Sequence, residues 1–388
     1  MSVLGDLSVE VFLKEYWHKK PVLIRNAYPN FQNPVDKEEL AGLSVEPDVE
    51  SRIVIERGSE QWELKHGPFG DNDFAELPKN KWTLLVQAVD HWVPEVKELL
   101  KDFDFIPRWR LDDIMISYAT TGGSVGPHSD YYDVFLIQGA GQRRWQIDRV
   151  CDETDEILPN TPVKILKEFT AQEEWVLNPG DMLYLPPGVA HNGVALDDEC
   201  MTLSVGFRAP SDADIACEFG AMLTELLPDH HRYGDPEREV PEHAGMIDEK
   251  SVQIVKGIMQ RHIDDPTLMA RWLGRYMTEP KYADHGELGA EIAWSEIAEM
   301  LQDSHPERHP ASRFATYQSY LFVDSKEYLL DTDTKTLANY IADSHQDLQS
   351  EQLLTLAQTP KAQQLLADMF STGALVFVDD DWQDGDYD

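Results

Sequence analysis

The chain has 388 residues, 42% of them hydrophobic and ten of them tryptophan, which excludes a disordered protein and leaves room for more than one domain. Its 33 basic against 71 acidic residues give a formal net charge of −38, which disfavours nucleic acid as a direct ligand and favours a strongly basic partner, unless the charge serves solubility alone. Cys151, Cys200 and Cys217 are too scattered for a disulfide framework, residues 1–6 carry no secretory n- or h-region, and no apolar run approaches the ~18 residues of a membrane span, so a reducing cytoplasm is expected.

In chain order, residues 9–16 are apolar at helical spacing, and Trp17-His18-Lys19-Lys20-Pro21-Val22-Leu23-Ile24-Arg25 leads from that helix into a strand. Residues 52–56 and 61–66 have strand character, and 82–92 is an apolar segment of either type. From 111 to 208 short strands alternate with Gly- and Pro-bearing turns, the texture of a β-sandwich or jelly roll. After Arg208-Ala209-Pro210 the periodicity becomes helical. Asp212 is the expected N-cap, with Ile215, Phe219, Met222, Leu223 and Leu226 on one face. Val252, Val255, Ile258 and Met259 repeat the pattern, as do Leu268, Trp272, Leu273 and Tyr276. From about Pro310, strands over 312–318 and 320–330, helices over 337–342, 353–357 and 361–370, and a last strand over 374–378 after Gly373 suggest a winged-helix-like module. Residues 379–388 form an acidic tail.

The chemistry concentrates in the strand-rich region. In Gly126-Pro127-His128-Ser129-Asp130-Tyr131-Tyr132-Asp133-Val134-Phe135-Leu136-Ile137, read as a strand, His128 and Asp130 project from one face. His191 closes the block Asn178 to His191, read as a strand and tight turn around Pro186-Pro187-Gly188. Two imidazoles and a carboxylate on one side of a metal leave other positions open, the ligand set of non-haem Fe(II) oxygenases. The competing possibility is a jelly roll that keeps these residues for packing or for a non-catalytic metal.

Arg143 adds an independent clue. After the Gly139-Ala140-Gly141 turn the strand alternates Arg143, Trp145 and Ile147 against Arg144, Gln146 and Asp148, so Arg143 shares a face with large apolar residues. A guanidinium there needs an anion, either a protein carboxylate or a dicarboxylate co-substrate. Asp113, Met115 and Ser117 share one side of the strand beginning near 111, and Thr202, Ser204 and Arg208 form the polar side of another. With Tyr132, which continues the face of His128 and Asp130, these would furnish a polar, partly acidic pocket able to hold an arginine side chain. Gly139-x-Gly141 lacks the rest of a dinucleotide fingerprint, His305 with His309 is read as a solvated loop, and the pair His230-His231 is read as surface.

The stretch from Gly122 to Trp145, the block from Asn178 to His191 and Ser204-Val205-Gly206-Phe207-Arg208-Ala209-Pro210 closely resemble the bacterial JmjC-type ribosomal oxygenases, and within them the arginine hydroxylases that modify a protein of the large ribosomal subunit. Trp17-His18-Lys19-Lys20-Pro21-Val22, Gly67-Pro68-Phe69 and Trp82 to Val89 carry the same likeness, which is specific over roughly the first 210 residues and architectural beyond them. The resemblance implies an α+β protein with a double-stranded β-helix (jelly-roll/cupin JmjC) domain at 1–210, a helical dimerisation segment at 211–305 and a winged-helix-like domain with the acidic tail at 306–388. It implies Fe(II) held by His128, Asp130 and His191, and 2-oxoglutarate on Arg143 with Ser204 nearby. O2 would be the oxidant, and Asp113, Met115 and Tyr132 would line the substrate pocket. The implied partners are a basic ribosomal protein as substrate and a second copy of the chain. Two alternatives stay open: a JmjC histidyl hydroxylase or demethylase, and a non-enzymatic cupin/winged-helix regulator. The regulator needs a basic recognition helix, yet 350–370 offers only Lys361 against Glu351 and Asp368.

Overall fold

The computed structural model describes residues 2–58, 60–282, 292–345 and 347–378; the acidic tail expected at 379–388 lies outside them. The chain divides into two compact units, Met1–Ala209 and Pro210–Asp388.

The first unit contains strands β1 (Val22–Ile24), β2 (Ser51–Gly58), β3 (Gln61–His66), β4 (Trp82–Val86), β5 (Leu111–Ala119), β6 (Val134–Ala140), β7 (Arg143–Val150), β8 (Glu173–Leu177), β9 (Met182–Leu185), β10 (Val189–Ala195) and β11 (Cys200–Phe207). Its helices are α1 (Val9–Glu15), α2 (Lys37–Leu43), α3 (Asp71–Ala75) and α4 (Pro94–Glu98). Eight strands form one antiparallel sheet in the order β1-β9-β6-β11-β5-β4-β2-β3, and β10-β7-β8 form a second. Period-2 alternation gives the large sheet two chemically distinct faces. Ile114, Ile116, Phe135, Ile137, Tyr184, Leu203 and Val205 point to one side, where they pack with Phe12 of α1, Leu40 of α2 and Phe103. On the other side Val134, Leu136, Leu183 and Leu185 meet Trp145, Ile147, Leu177 and Val189 of the small sheet. Two facing sheets with this strand order make the double-stranded β-helix, and the polar residues Asp113, Ser117, Gln138, Thr202 and Ser204 are buried on the large sheet.

The second unit begins with α5 (Asp212–Leu226), α6 (Glu249–Ile263), α7 (Pro266–Met277) and α8 (Trp294–Asp303). Ser211, not Asp212, caps α5: its side chain accepts from Asp214 N–H and the Asp214 carboxylate returns the bond to Ser211 N–H, a capping box that the Ser-x-x-Asp spacing explains. Phe219, Met222 and Trp272 join α5 to α7, whereas α6 buries no residue. Then follow β12 (His305–Arg308), β13 (Phe314–Tyr317), β14 (Tyr320–Val323), β15 (Lys326–Leu329), α9 (Lys335–Asp343), α10 (Ser350–Leu356), α11 (Pro360–Ser371) and β16 (Leu375–Val378). The expected strand over 320–330 is a hairpin, β14 and β15, because Asp324 and Ser325 both take positive φ (47° and 66°). His305 opens β12, which pairs with β16, and does not lie in a loop. Leu321, Leu337, Ile341, Leu353, Leu366 and Phe370 fill the core of this winged-helix module.

Candidate metal and co-substrate site

The segment carrying His128 and Asp130 is not a regular strand. β6 starts only at Val134, and the residues before it are irregular apart from one antiparallel bridge, His128 to His191. Pro127 lacks the N–H for a ladder, and Gly126 at φ 83° bends the chain. The bridge nevertheless fixes both histidines: His128 N–H donates to His191 O at 3.0 Å, and His191 N–H donates to His128 O at 2.8 Å. His191 lies not in the turn after β9 but in the next strand, β10, and Gly188 N–H donates to Asp130 O at 2.7 Å. That hydrogen bond ties the turn before β10 to the carboxylate's backbone.

The side chains converge. The ligand atoms of His128, Asp130 and His191 all lie within 4.8 Å of one another. His128 Nε2 is 3.9 Å from Asp130 Oδ1 and His191 Nε2 is 3.6 Å from Asp130 Oδ2, with the imidazole centroids 4.3 Å apart. Each Nδ1 sits 2.9 Å from a backbone carbonyl, that of Gly126 for His128 and that of Val189 for His191. With Nδ1–H donating there, the Nε2 lone pairs are turned toward Asp130, the orientation that metal-ligating imidazoles adopt. Burial, reinforced by the neighbouring His128, pushes His191 down to about 4, so the ring is neutral and able to ligate at pH 7.

On β7, the strand paired with the His191-bearing β10, Arg143 is the first residue and is 4% exposed, with Trp145 and Ile147 on its face. Among the described residues its Nε and Nη2 have no hydrogen-bond partner, and its guanidinium carbon lies 5.7 Å from the Trp145 ring centroid. Native proteins rarely leave buried charged donors unmatched, so these nitrogens fit a dicarboxylate's distal group, and the three ligand atoms fit a divalent metal. Trp145 also packs on His191, with centroids 5.8 Å apart, and it can do so because residue 193 opposite is glycine: a Cβ there would lie 2.7 Å from the indole. Ser204 is buried on β11, opposite Met115 of β5 and Leu136 of β6.

Asp113 and Met115 occupy alternate positions of β5. Asp113 Oδ2 accepts from Gln87 Nε2 at 2.7 Å and from Ala88 N–H at 2.8 Å. Burial and the negative charges of Asp130 and Asp113 push the Tyr132 hydroxyl up. Three contributors escape sequence reasoning. Asp133, fully buried, accepts from Tyr184 O–H at 2.6 Å and has His18 Nε2 at 3.1 Å, which anchors the end of the ligand-bearing segment to the N-terminal region. Gln87 and Asp90 stand in the 82–92 stretch; the signal there was a carboxylate in an otherwise apolar segment. A second grouping, His305, Glu307 and Asp347, lies in the winged-helix unit with Asp347 exposed.

Comparisons with known proteins follow the same division. Residues 98–215 match the JmjC domain family and 261–376 the ROXA-like winged helix. The ribosomal protein uL16 3-hydroxylase of Escherichia coli is 36% identical over 271 residues, which cover 70% of this chain and 71% of that protein. A probable ribosomal oxygenase of Haemophilus influenzae is 44% identical over 208 residues, 53% of this chain and 50% of its own. The structure of YcfD, a ribosomal oxygenase from E. coli in complex with cobalt and 2-oxoglutarate, matches with a TM-score of 0.85 at 30% identity, covering 97% of this chain and 99% of that one.

Proposed function

Because this chain belongs to the JmjC-domain ribosomal oxygenases, we propose that it is an Fe(II)- and 2-oxoglutarate-dependent protein hydroxylase acting on an arginine of a large-subunit ribosomal protein in the cytoplasm. The observation that carries this reading is Arg143: a buried guanidinium with two nitrogens that have no partner among the described residues, linked through the Trp145 ring to His191 of the three-ligand cluster. His128 Nε2, Asp130 and His191 Nε2 would hold the metal, and Arg143 with Ser204 would hold the distal carboxylate of 2-oxoglutarate. When bound, Fe(II), 2-oxoglutarate and O2 supply the oxidation that converts a substrate C–H into C–OH with release of succinate and CO2.

The protein's own part is geometry and exclusion of water. The His128–His191 bridge presets two ligands before metal arrives, and Trp145 walls the co-substrate side with indole. Asp113, Met115 and Tyr132 are assigned to the substrate side chain. A carboxylate held by two donors offers a guanidinium a fixed partner, Met115 an apolar wall and Tyr132 an aromatic face. A net charge of −38 suits a basic ribosomal protein and opposes direct nucleic-acid binding. In α11 the single basic residue, Lys361, is already paired with Asp331.

The three-part division at 1–210, 211–305 and 306–388 is retained in this proposal, the middle part serving self-association. Val252, Val255, Met259 and Ile263 of α6 are each about half exposed along one face, and a second copy of the same helix is the apolar, charge-poor partner that such a face requires.

The test is incubation of the full chain with Fe(II), 2-oxoglutarate and bacterial ribosomal proteins, followed by mass spectrometry. The expected result is one added oxygen atom on an arginine, lost in His128→Ala. Oxygen added to a histidine would replace the arginine reading with a histidyl hydroxylase, and the absence of both succinate and any oxygenated product would overturn the enzyme reading.

A further inference from the structure

Two buried carboxylates, Asp90 and Asp113, each 3% exposed, stand on neighbouring segments that exchange hydrogen bonds. Ala88 N–H donates to Asp113 Oδ2 at 2.8 Å, and Ile114 N–H, the residue after Asp113, donates to Asp90 Oδ1 at 2.7 Å. Gln87 Nε2 adds a second donor to Asp113 Oδ2 at 2.7 Å.

The sheet explains this reciprocal clasp. β4 pairs with β5 from Thr83–Ala119 to Val86–Ile116 and no further. Beyond Val86 the chain turns through Ala88, at φ 50° and ψ 44°, into the 3-10 turn Val89–His91. A non-glycine residue in the left-handed region costs free energy and persists where the surroundings hold it. Here that conformation aims the Ala88 N–H at Asp113. Past the end of the ladder, the Asp90 carboxylate stands in for the missing strand carbonyl at Ile114. On the other side of β5 the register with β11 slips between Val205 and Phe207, so neighbouring strand pairing is least regular at Asp113 itself. Both of these donors to Oδ2 come from the 87–90 turn, so the turn helps fix the rotation of the Asp113 carboxylate.

We propose that Asp90 is a positioning residue for substrate recognition: by taking the Ile114 N–H it holds the 87–90 turn on β5 in the one arrangement in which Gln87 and Ala88 orient Asp113 toward a cationic, planar side chain. This inference rests on the reading of Asp113 as the partner of the substrate cation. Burying a second carboxylate beside the first is costly. Keeping it there makes sense where the orientation of the first matters, and β5 has ended its own pairing on that side.

The experiment compares the full-length wild type with Asp90→Asn, Asp90→Ala and Asp113→Asn in steady-state hydroxylation of recombinant uL16. Asn retains an oxygen acceptor for Ile114 N–H, so Asp90→Asn is expected to keep the KM for uL16 within about threefold. Asp90→Ala loses the acceptor and is expected to raise that KM about tenfold or more, with kcat and the KM for 2-oxoglutarate moving less than about threefold. A merely structural role would move all three parameters together, and that result overturns the inference. So does an Asn variant as impaired as Ala, or an Ala variant with unchanged KM for uL16. Should Asp90→Ala fail to fold by circular dichroism, Gln87→Leu removes one orienting donor and is expected to raise the same KM about threefold, no change again overturning the inference. If Asp113→Asn itself leaves the KM for uL16 unchanged, or the wild type modifies no arginine, the Asp113 reading falls and this inference with it. An impaired Asp113→Asn beside an unimpaired Asp90→Ala overturns the inference alone.

Discussion

His128 and His191, 63 positions apart in the sequence, exchange both backbone hydrogen bonds of an antiparallel bridge, at 3.0 and 2.8 Å, and that single pair holds the irregular ligand segment against β10. Placement of the ligands therefore depends on backbone pairing as well as on side-chain identity. His128→Ala is expected to keep the bridge and the fold, with a melting temperature close to wild type, while losing the binding of added Co(II) or Fe(II) and all succinate production. Calorimetric metal titration beside a thermal melt checks this; metal affinity at the wild-type level would remove His128 from the ligand set.

Arg143 has a distinct signature. Replacing the buried guanidinium, two of whose nitrogens have no partner among the described residues, by Met is expected to leave the protein without ligands as stable as wild type or about 1 kcal/mol more so. The same variant is expected to raise the KM for 2-oxoglutarate at least about thirtyfold through lost charge-assisted hydrogen bonds. Urea titration and steady-state kinetics read the two effects separately. A variant strongly destabilised without ligand would mean that Arg143 serves a protein anion.

Gly193 is set by the Trp145 indole, 2.7 Å from where its Cβ would stand. Gly193→Ala is expected to cost about 1–3 kcal/mol through displacement of the ring. Because that ring lies against both His191 and Arg143, co-substrate binding should weaken in parallel. Wild-type stability in a thermal melt would show that the indole moves freely.

The acid limb of stability should depend on Asp181, 6% exposed, which accepts from Asn26 N–H at 2.9 Å, Asn178 N–H at 3.0 Å and Arg25 Nη1 at 2.7 Å. Burial raises its carboxyl, but these donors outweigh burial and leave it below the ordinary range. A folded-state value depressed below the unfolded one contributes stability above the unfolded value, lost as pH falls through the folded one. Asp181→Asn is therefore expected to destabilise at pH 7 by about 1–3 kcal/mol and to converge on wild type toward pH 2. Parallel curves across that range would count against the assignment.

The apolar face of α6 predicts association. Val255→Asp with Met259→Asp is expected to convert a dimer to a monomer in analytical ultracentrifugation with the melting of the first unit unchanged. A wild type that sediments as a monomer would rule out the second copy as the occupant of that face.

Much of the fold was legible because periodicity was strong where one face is buried. The Arg143-Trp145-Ile147 alternation matches the buried positions of β7. What escaped the sequence was local hydrogen bonding. Ser211 caps α5 in place of Asp212 because a hydroxyl reaching Asp214 N–H is a matter of one residue's geometry. The hairpin between β14 and β15 was hidden because Asp324 and Ser325 are not the glycine that usually marks positive φ. The strand expected around His128 is an irregular segment, since Pro127 and the polar run after it cannot sustain a ladder.

The sequence by itself determined the chemistry: two histidines and an aspartate of metal-ligand type, an arginine on an apolar face and a net charge of −38. Those follow from residue identity and short-range periodicity, which a linear chain displays in full. Only the tertiary structure decided that the ligand atoms come within 4.8 Å of one another, that two Arg143 nitrogens have no partner among the described residues, and that Asp90 holds the residue after Asp113. Each of these depends on strands that pair across long sequence separations and on where that pairing stops. Backbone register fixes it, and no local pattern in the chain records it.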